Sequence, residues 1–230
     1  VNLVRMWFQR VDLRNHRKIV VIDEKIANTG SQNMVDPRYF KQDEDVGQWI
    51  DTMIKVEGPS VLVLNAVFAG DWSIDTKDNW KDLVTKANEA EVCGSGSCQD
   101  VQIIPSSPGA VKNSIHEIIM GLLYNADKRI TITTPYFVPS EAMLKALCSK
   151  SISGCDVTLI VPRKSDSLLV KYASQSVYED LLNAGVKIAL FEDGLLHSKI
   201  ITIDEKVTFV GSHNMDMRSF YINFEVSIMA

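Results

Sequence analysis

The sequence contains no apolar run long enough to cross a bilayer. Its longest such stretch, Val61 to Ala69, is interrupted by Asn65 and stops at Gly70, well short of the roughly 20 residues a spanning helix needs. No leader with a basic start and an apolar core opens the chain. Basic residues are in deficit: 24 Lys and Arg stand against 29 Asp and Glu, a formal charge of −5. That argues against holding nucleic acid through a broad basic surface and leaves local phosphate binding open. Cysteine is sparse. Cys93 and Cys98 flank a Gly-Ser-Gly-Ser loop, and Cys148 and Cys155 bracket a helix end; buried or idle thiols are expected there rather than disulfides. No His-Cys or His-Glu cluster has zinc spacing, so neither a metal nor another cofactor is expected.

Histidine is scarce too, but two of the four histidines open nearly the same sentence. HRKIVVIDEKIANTGSQN runs from His16 to Asn33, and HSKIITIDEKVTFVGSHN from His197 to Asn214. The offset is 181 residues throughout, with no insertion in either copy. A match of this length is an internal repeat.

Each copy begins with a β-branched run, Ile19 to Ile22 and Ile200 to Ile203, that reads as a buried strand. Polar residues and a second apolar run follow, which predicts a hairpin. A two-residue loop at Glu24–Lys25 and at Glu205–Lys206 would place His16 opposite Asn33, Lys18 opposite Ser31, His197 opposite Asn214 and Lys199 opposite Ser212. Glu-Lys is a poor residue pair for such a loop. Strand alternation puts His16 and Lys18 on one face and Asp23 on the other, and likewise separates Asp204 from His197 and Lys199. Each Asp is therefore expected to tie down the turn or neighbouring backbone rather than its own His.

Face to face, the copies supply two imidazoles, two ammonium groups, two amides and two hydroxyls. Lys and Asn donors suit a phosphate, whose oxygens only accept. Imidazoles on opposite sides suit in-line displacement: one attacks phosphorus, and the other protonates the leaving alcohol and then deprotonates the incoming one. The lysines and amides stabilise charge on the transferring group.

The doubled pattern His-x-Lys-x4-Asp-x6-Gly-Ser-x-Asn resembles the signature of the phospholipase D superfamily. Its surroundings resemble the bacterial cardiolipin synthases: Trp49-Ile50-Asp51, Gly58-Pro59, Phe68 with Asp71-Trp72, Thr134 to Pro139, Leu181 to Ile188, and Arg218-Ser219 leading to Asn223-Phe224-Glu225. The resemblance implies an α/β fold of two repeated halves, each a mixed β-sheet flanked by helices, with the site between them. It implies a catalytic set of His16, Lys18, Asp23, His197, Lys199 and Asp204, and phosphate binding by Ser31, Asn33, Ser212 and Asn214. Asp51 and Glu225, beyond the motifs, match the carboxylates that orient the imidazoles. It further implies a phosphohistidine intermediate, with His16 as nucleophile and His197 as general acid and base. The implied activity is phosphatidyl transfer between phosphatidylglycerol-like lipids at a membrane surface, without nucleic acid as partner; hydrolysis of phospholipids is the alternative. A bacterial cell-membrane location would come through segments outside this chain. Departures are small: Gly-Ser-Gln-Asn replaces the frequent Gly-Gly-x-Asn in the first copy, and Glu follows Asp23 and Asp204 where Gly is common.

Around the second copy the pattern predicts strand 130–134, helix 140–150, strand 156–161, helix 167–184 and strand 186–191, in βαβ alternation. The first copy has only fifteen residues ahead of it, so its half is expected to be incomplete at the N-terminus and the second at the C-terminus. Residues 59–90 read as helix and 91–113 as a connector with Pro105 and Pro108. The expected division is a first repeat with connector at 1–110 and a second repeat at 111–230.

Overall fold

The computed structural model of the chain describes residues 12–39, 47–76, 78–79, 83–84, 99–108 and 114–230. Cys93, Cys98 and much of the expected helix after residue 76 lie outside them. The first half comprises β1 (Ile19–Ile22), β2 (Ile26–Gly30), β3 (Trp49–Ile50), β4 (Met53–Glu57), α1 (Ser60–Asp75) and β5 (Gln102–Ser106). The second begins with α2 (Ser114–Asn125), β6 (Arg129–Thr133), β7 (Phe137–Val138), α3 (Glu141–Ile152), β8 (Asp156–Pro162), α4 (Leu168–Gln175), α5 (Tyr178–Asn183) and β9 (Lys187–Phe191). It continues through β10 (Leu195–Leu196), β11 (Ile200–Ile203), β12 (Val207–Gly211), β13 (Met215–Asp216), α6 (Met217–Tyr221) and β14 (Glu225–Met229).

The two copies of the repeat form matching hairpins, β1–β2 and β11–β12. Each second strand then pairs antiparallel with a third, giving β1-β2-β4 in one half and β11-β12-β14 in the other. In the second half the sheet grows on both sides to the order β5-β14-β12-β11-β6-β8-β9, with β6, β8 and β9 parallel. Burial alternates along β6 and β8, with Ile130, Ile132, Val157, Leu159 and Val161 on the enclosed face, while β9 at the edge of the sheet is more open. Ile130, Ile132, Val157 and Leu159 are all at most 2% exposed, and complete burial of one such side chain stabilises by about 1.5–3 kcal/mol. A separate cluster joins Ala27, Val56, Val61 and Leu64 of the first half to Val226 and Ile228 of the second.

The copies differ in what covers them. Ile201, Ile203 and Met215 are buried beneath neighbouring elements, whereas Val20, Ile22 and Met34, at the same repeat positions, are 36%, 48% and 93% exposed. In the second half β6 lies against β11 and β7 against β13; among the described residues β1 pairs only with β2.

Four expectations need correction. The helix expected over 59–90 stops at Asp75, where Thr76 takes an extended conformation and its N–H returns to the Trp72 carbonyl. Both hairpins have three-residue loops: Ile22 pairs with Ile26 and Ile203 with Val207, one step away from the expected register. Asp23, Glu24, Asp204 and Glu205 take φ between 51° and 58°, and the N–H of the third loop residue returns to the carbonyl of the last strand residue. The connector contains β5, which completes the large sheet as an edge strand; Pro105 is tolerated because an edge has ladder positions that need no donor. Helix 167–184 is two helices. At the join, the Ser176 hydroxyl donates back to the Ala173 carbonyl at 2.7 Å, a side-chain bond that competes with helix continuation.

Candidate active site

Backbone bonding puts each histidine against the opposite half. The His16 N–H donates to the Phe224 carbonyl at 2.9 Å, and the His197 N–H to the Ile50 carbonyl at 2.8 Å. In the second case the contact extends into the parallel pair β3–β10. The next residue in each partner strand is an acid. His16 Nδ1 lies 3.0 and 2.9 Å from the two Glu225 carboxylate oxygens, and His197 Nδ1 lies 2.5 Å from Asp51 Oδ1. An ionised carboxylate only accepts, so both imidazoles carry their proton on Nδ1 and leave Nε2 for chemistry.

The carboxylates are in turn held by the serines of the repeat. The Ser31 hydroxyl donates to Asp51 at 2.7 Å and accepts from the Thr52 N–H. The Ser212 hydroxyl donates to Glu225 and accepts from the Val226 N–H. The glycine before each serine is required by close approach: a Cβ on Gly30 would stand 2.2 Å from the Thr52 carbonyl oxygen, and one on Gly211 2.3 Å from that of Val226. Thus Gly-Ser in each copy brings a strand close enough for its serine to fix the acid.

Lys18 and Lys199 fold back so that each ammonium donates to the carbonyl of the histidine two residues earlier, at 2.7 and 2.5 Å. Burial lowers Lys18 to about 8, against the opposing pull of Glu225 and Asp51. Burial, then the charge of Lys18, lowers Lys199 to about 7. His197 is brought down to about 4 by burial and by Lys199. Burial works to raise Glu225, but its hydrogen bond from His16, the charges of His213 and His16, and Ser212 hold it near 2. Asp51 likewise stays below the usual carboxylate range, its burial outweighed by His197, Ser31 and Lys199. These mutual influences show one shared electrostatic site: Lys18 of the first copy acts on His197 and Lys199 of the second. The two sides are unequal, since the His16 side chain is 28% exposed and that of His197 5%. Trp49 packs on the His197 ring at 4.7 Å between centroids.

Asn214 is buried beside this site, with no hydrogen-bond partner for Oδ1 among the described residues; Asn33 is half-buried. Asp23 and Asp204, counted with the catalytic set on sequence, sit instead at the hairpin turns, beyond the far ends of the strands that begin after Lys18 and Lys199. Asp204 accepts the N–H groups of Asp127, Lys128 and Arg129 at 2.7–2.8 Å, which hold its carboxyl at about 2. It joins the hairpin to the start of β6. Asp23 instead lines a groove of about 450 Å³ between β1 and α1, together with Val20, Met34 and Phe68. Sequence reasoning gave no role to Asn223, whose amide donates to Glu225 at 3.0 Å, nor to the residues between His and Lys, because Arg17 and Ser198 break the repeat. Among the described residues no group of three or more His, Cys, Asp and Glu is placed to hold a metal ion. Cys148 and Cys155 are free thiols.

Paired His-x-Lys hairpins meeting across two halves define a class. In its second half the chain is similar to phospholipase D-like domains. Residues 119–230 match the family described as cardiolipin synthase, PLD-like domain. Over its whole length the chain is 46% identical to cardiolipin synthase A of Yersinia pseudotuberculosis serotype O:1b (strain IP 31758), and equally to that of Yersinia pestis; it spans 47% of each of these curated relatives. Its fold is similar to the crystal structure of phosphatidylserine synthase from Haemophilus influenzae Rd KW20, with a TM-score of 0.64, 14% identity, and coverage of 96% of this chain and 59% of that one.

Proposed function

We propose that the chain carries the reaction centre of a phosphatidyltransferase that forms cardiolipin from phosphatidylglycerol-type lipids. The observation that carries this reading is the exchange of carboxylates: each histidine takes its orienting acid from the other half. Such a site needs both copies and offers two Nε2 atoms to one phosphate.

His16 Nε2 attacks the donor phosphorus, and a P–N bond replaces the P–O bond to the departing glycerol. His197 enters this step as the imidazolium, having taken a second proton on Nε2 as the anionic phosphodiester binds, and gives that proton to the glycerol oxygen. A hydroxyl of a second lipid then attacks phosphorus, its proton passes to His197, and the P–N bond breaks. Glu225 and Asp51 stabilise the imidazolium forms. Lys18, Lys199, Asn33 and Asn214 bind the phosphate oxygens, and Ser31 and Ser212 act through the carboxylates. The more exposed His16 suits the nucleophile, and the enclosed His197 suits proton transfer shielded from water. The division into repeats at 1–110 and 111–230 is part of the same reading, with β5 lending an edge to the second repeat's sheet.

The partners in this reading are phospholipids and the membrane surface that holds them. No helix among the described residues is long and apolar enough to cross a membrane. At the carboxyl ends of β6 and β8, where Lys199 and Asn214 sit, α4 presents Leu168, Leu169 and Tyr172 at 66–81% exposure, with Lys171 between them. Apolar side chains interspersed with lysine suit an interface with anionic lipid. The deciding experiment is incubation with phosphatidylglycerol in mixed micelles. Cardiolipin plus glycerol supports transfer, whereas phosphatidic acid would identify water as the acceptor.

A further inference from the structure

We propose that the residue between His and Lys in each copy, Arg17 and Ser198, is a positioning residue that clamps the strand bearing the other half's carboxylate. The inference rests on the reading of His16 and His197 as the reacting groups. Arg17 Nε donates to the main-chain carbonyl of Glu225 at 2.9 Å, the acid whose side chain orients the adjacent His16. Ser198 does the equivalent across the site. Its hydroxyl donates to the Ile50 carbonyl at 3.1 Å and accepts from the Thr52 hydroxyl at 2.9 Å. These are the residues on either side of Asp51, which orients the adjacent His197. Each acid is therefore held twice: its side chain by the serine of its own half, its backbone by the middle residue of the opposite motif.

The two clamps differ in strength. The Arg17 side chain is 8% exposed, and each of its three nitrogens donates to a fixed partner. Besides Glu225 it reaches the Ser106 carbonyl at 2.8 Å and the carboxylate of Asp71, and its guanidinium stands 5.4 Å from the centre of the Phe224 ring. Asp71 is itself fixed by the Asn15 amide at 3.0 Å. This joins α1, β5 and β14 at one point beside His16. Ser198 makes two neutral bonds. Charge-assisted bonds from a guanidinium are roughly twice as strong as neutral ones and fix direction as well as distance. His16 is thus the rigidly set imidazole, and His197, although more enclosed, sits on the softer clamp.

The test uses the 230-residue chain and a readout independent of lipid turnover. In ¹⁵N-edited NMR each Nδ1–H bound to a carboxylate gives a downfield proton resonance, and His116 and His213 serve as internal references. Arg17→Gln is expected to remove the His16 resonance and leave that of His197; Ser198→Ala is expected to weaken that of His197 alone. Arg17→Lys should fail to rescue, because an ammonium cannot serve three fixed acceptors. On short-chain phosphodiester, Arg17→Gln should lower kcat by about 10–100-fold, the usual range for residues that orient a reacting ligand, with KM little changed. If Arg17→Gln does not fold, Ser198→Ala carries the test alone. Both Nδ1–H signals unchanged from wild type in either folded variant, or an equal change in both, overturns the proposal. Wild-type chain that turns over no phosphodiester counts against the proposed function and leaves the NMR result standing.

Discussion

Lys199 is wholly enclosed, with the charge of Lys18 acting on it from the other copy, and both effects favour its neutral form. An arriving phosphodiester reverses the balance by supplying negative charge. The sign follows: above about pH 7 the empty site lacks a proton that the occupied site holds, so binding takes up that proton and weakens as pH rises. Affinity for a short-chain phosphodiester, whose own charge is constant there, should fall by up to about tenfold per pH unit from 7 towards 9, when measured calorimetrically. A flat profile would mean that Lys199 stays charged. The same residue scale separates the histidines. His16→Ala should give no covalent adduct with any phosphatidyl donor. His197→Ala should still label His16 slowly when the donor's leaving group needs no proton. Rapid quench with radiolabelled donor and peptide mapping reads both results, and label on His197 in the wild type would reverse the roles. Lys18, Lys199, Asn33 and Asn214 should each cost on the order of 10²–10³ in rate if they act as donors to developing charge.

At the scale of elements, the motif glycines and turn aspartates have separable tasks. Gly211→Ala drives a methyl into the β14 backbone and should destabilise by about 3 kcal/mol, at the upper end of ordinary overpacking, which urea midpoints would show. Asp204→Ala should lower the thermal midpoint while leaving the kcat of the folded fraction near wild type, since Asp204 holds backbone at β6 and touches no imidazole. Here the sequence was informative because alternation is strict. The parity of Asp23 and Asp204 relative to the histidines is readable from spacing alone. The hairpin register was not, because Glu24 and Glu205 followed Asp into the left-handed turn conformation, which sequence rules give to Gly, Asn and Asp, lengthening the loop by one residue. β5 was hidden for a different reason. It is an edge strand carrying a proline, and its place is set by pairing with β14, more than a hundred residues away. The carboxylates Asp51 and Glu225 were found through family likeness and parity together. Arg17 and Ser198 left no mark, since their partners come from distant chain segments and their identities do not repeat.

For the whole molecule, acid acts on the contact between halves. His197 is neutral in the fold and would charge below about 6.5 when unfolded, so its contribution fades as pH falls from about 6.5 to 4. Glu225, held near 2 against an ordinary 4.5, contributes above that ordinary value and loses its contribution as pH falls towards 2. Each stage is on the order of 3 kcal/mol. Urea midpoints at pH 7, 5 and 3 should fall in two stages, and Glu225→Gln should abolish the lower one. The outer surface gives a further expectation. Leu168→Gln with Leu169→Gln should reduce partition onto phosphatidylglycerol vesicles at least about tenfold with an unchanged thermal midpoint, because both side chains are mostly in solvent.

The crossed carboxylates make this chain equivalent to a swapped dimer written as one polypeptide. Two identical subunits could build the same site, but symmetry would force both histidines into one environment, and nothing would distinguish attacker from proton carrier. Fusion removes that obligation. One histidine can open to solvent beside an arginine while its twin closes under Trp49 beside a serine. Covalent linkage of the copies is therefore what permits a division of labour between them.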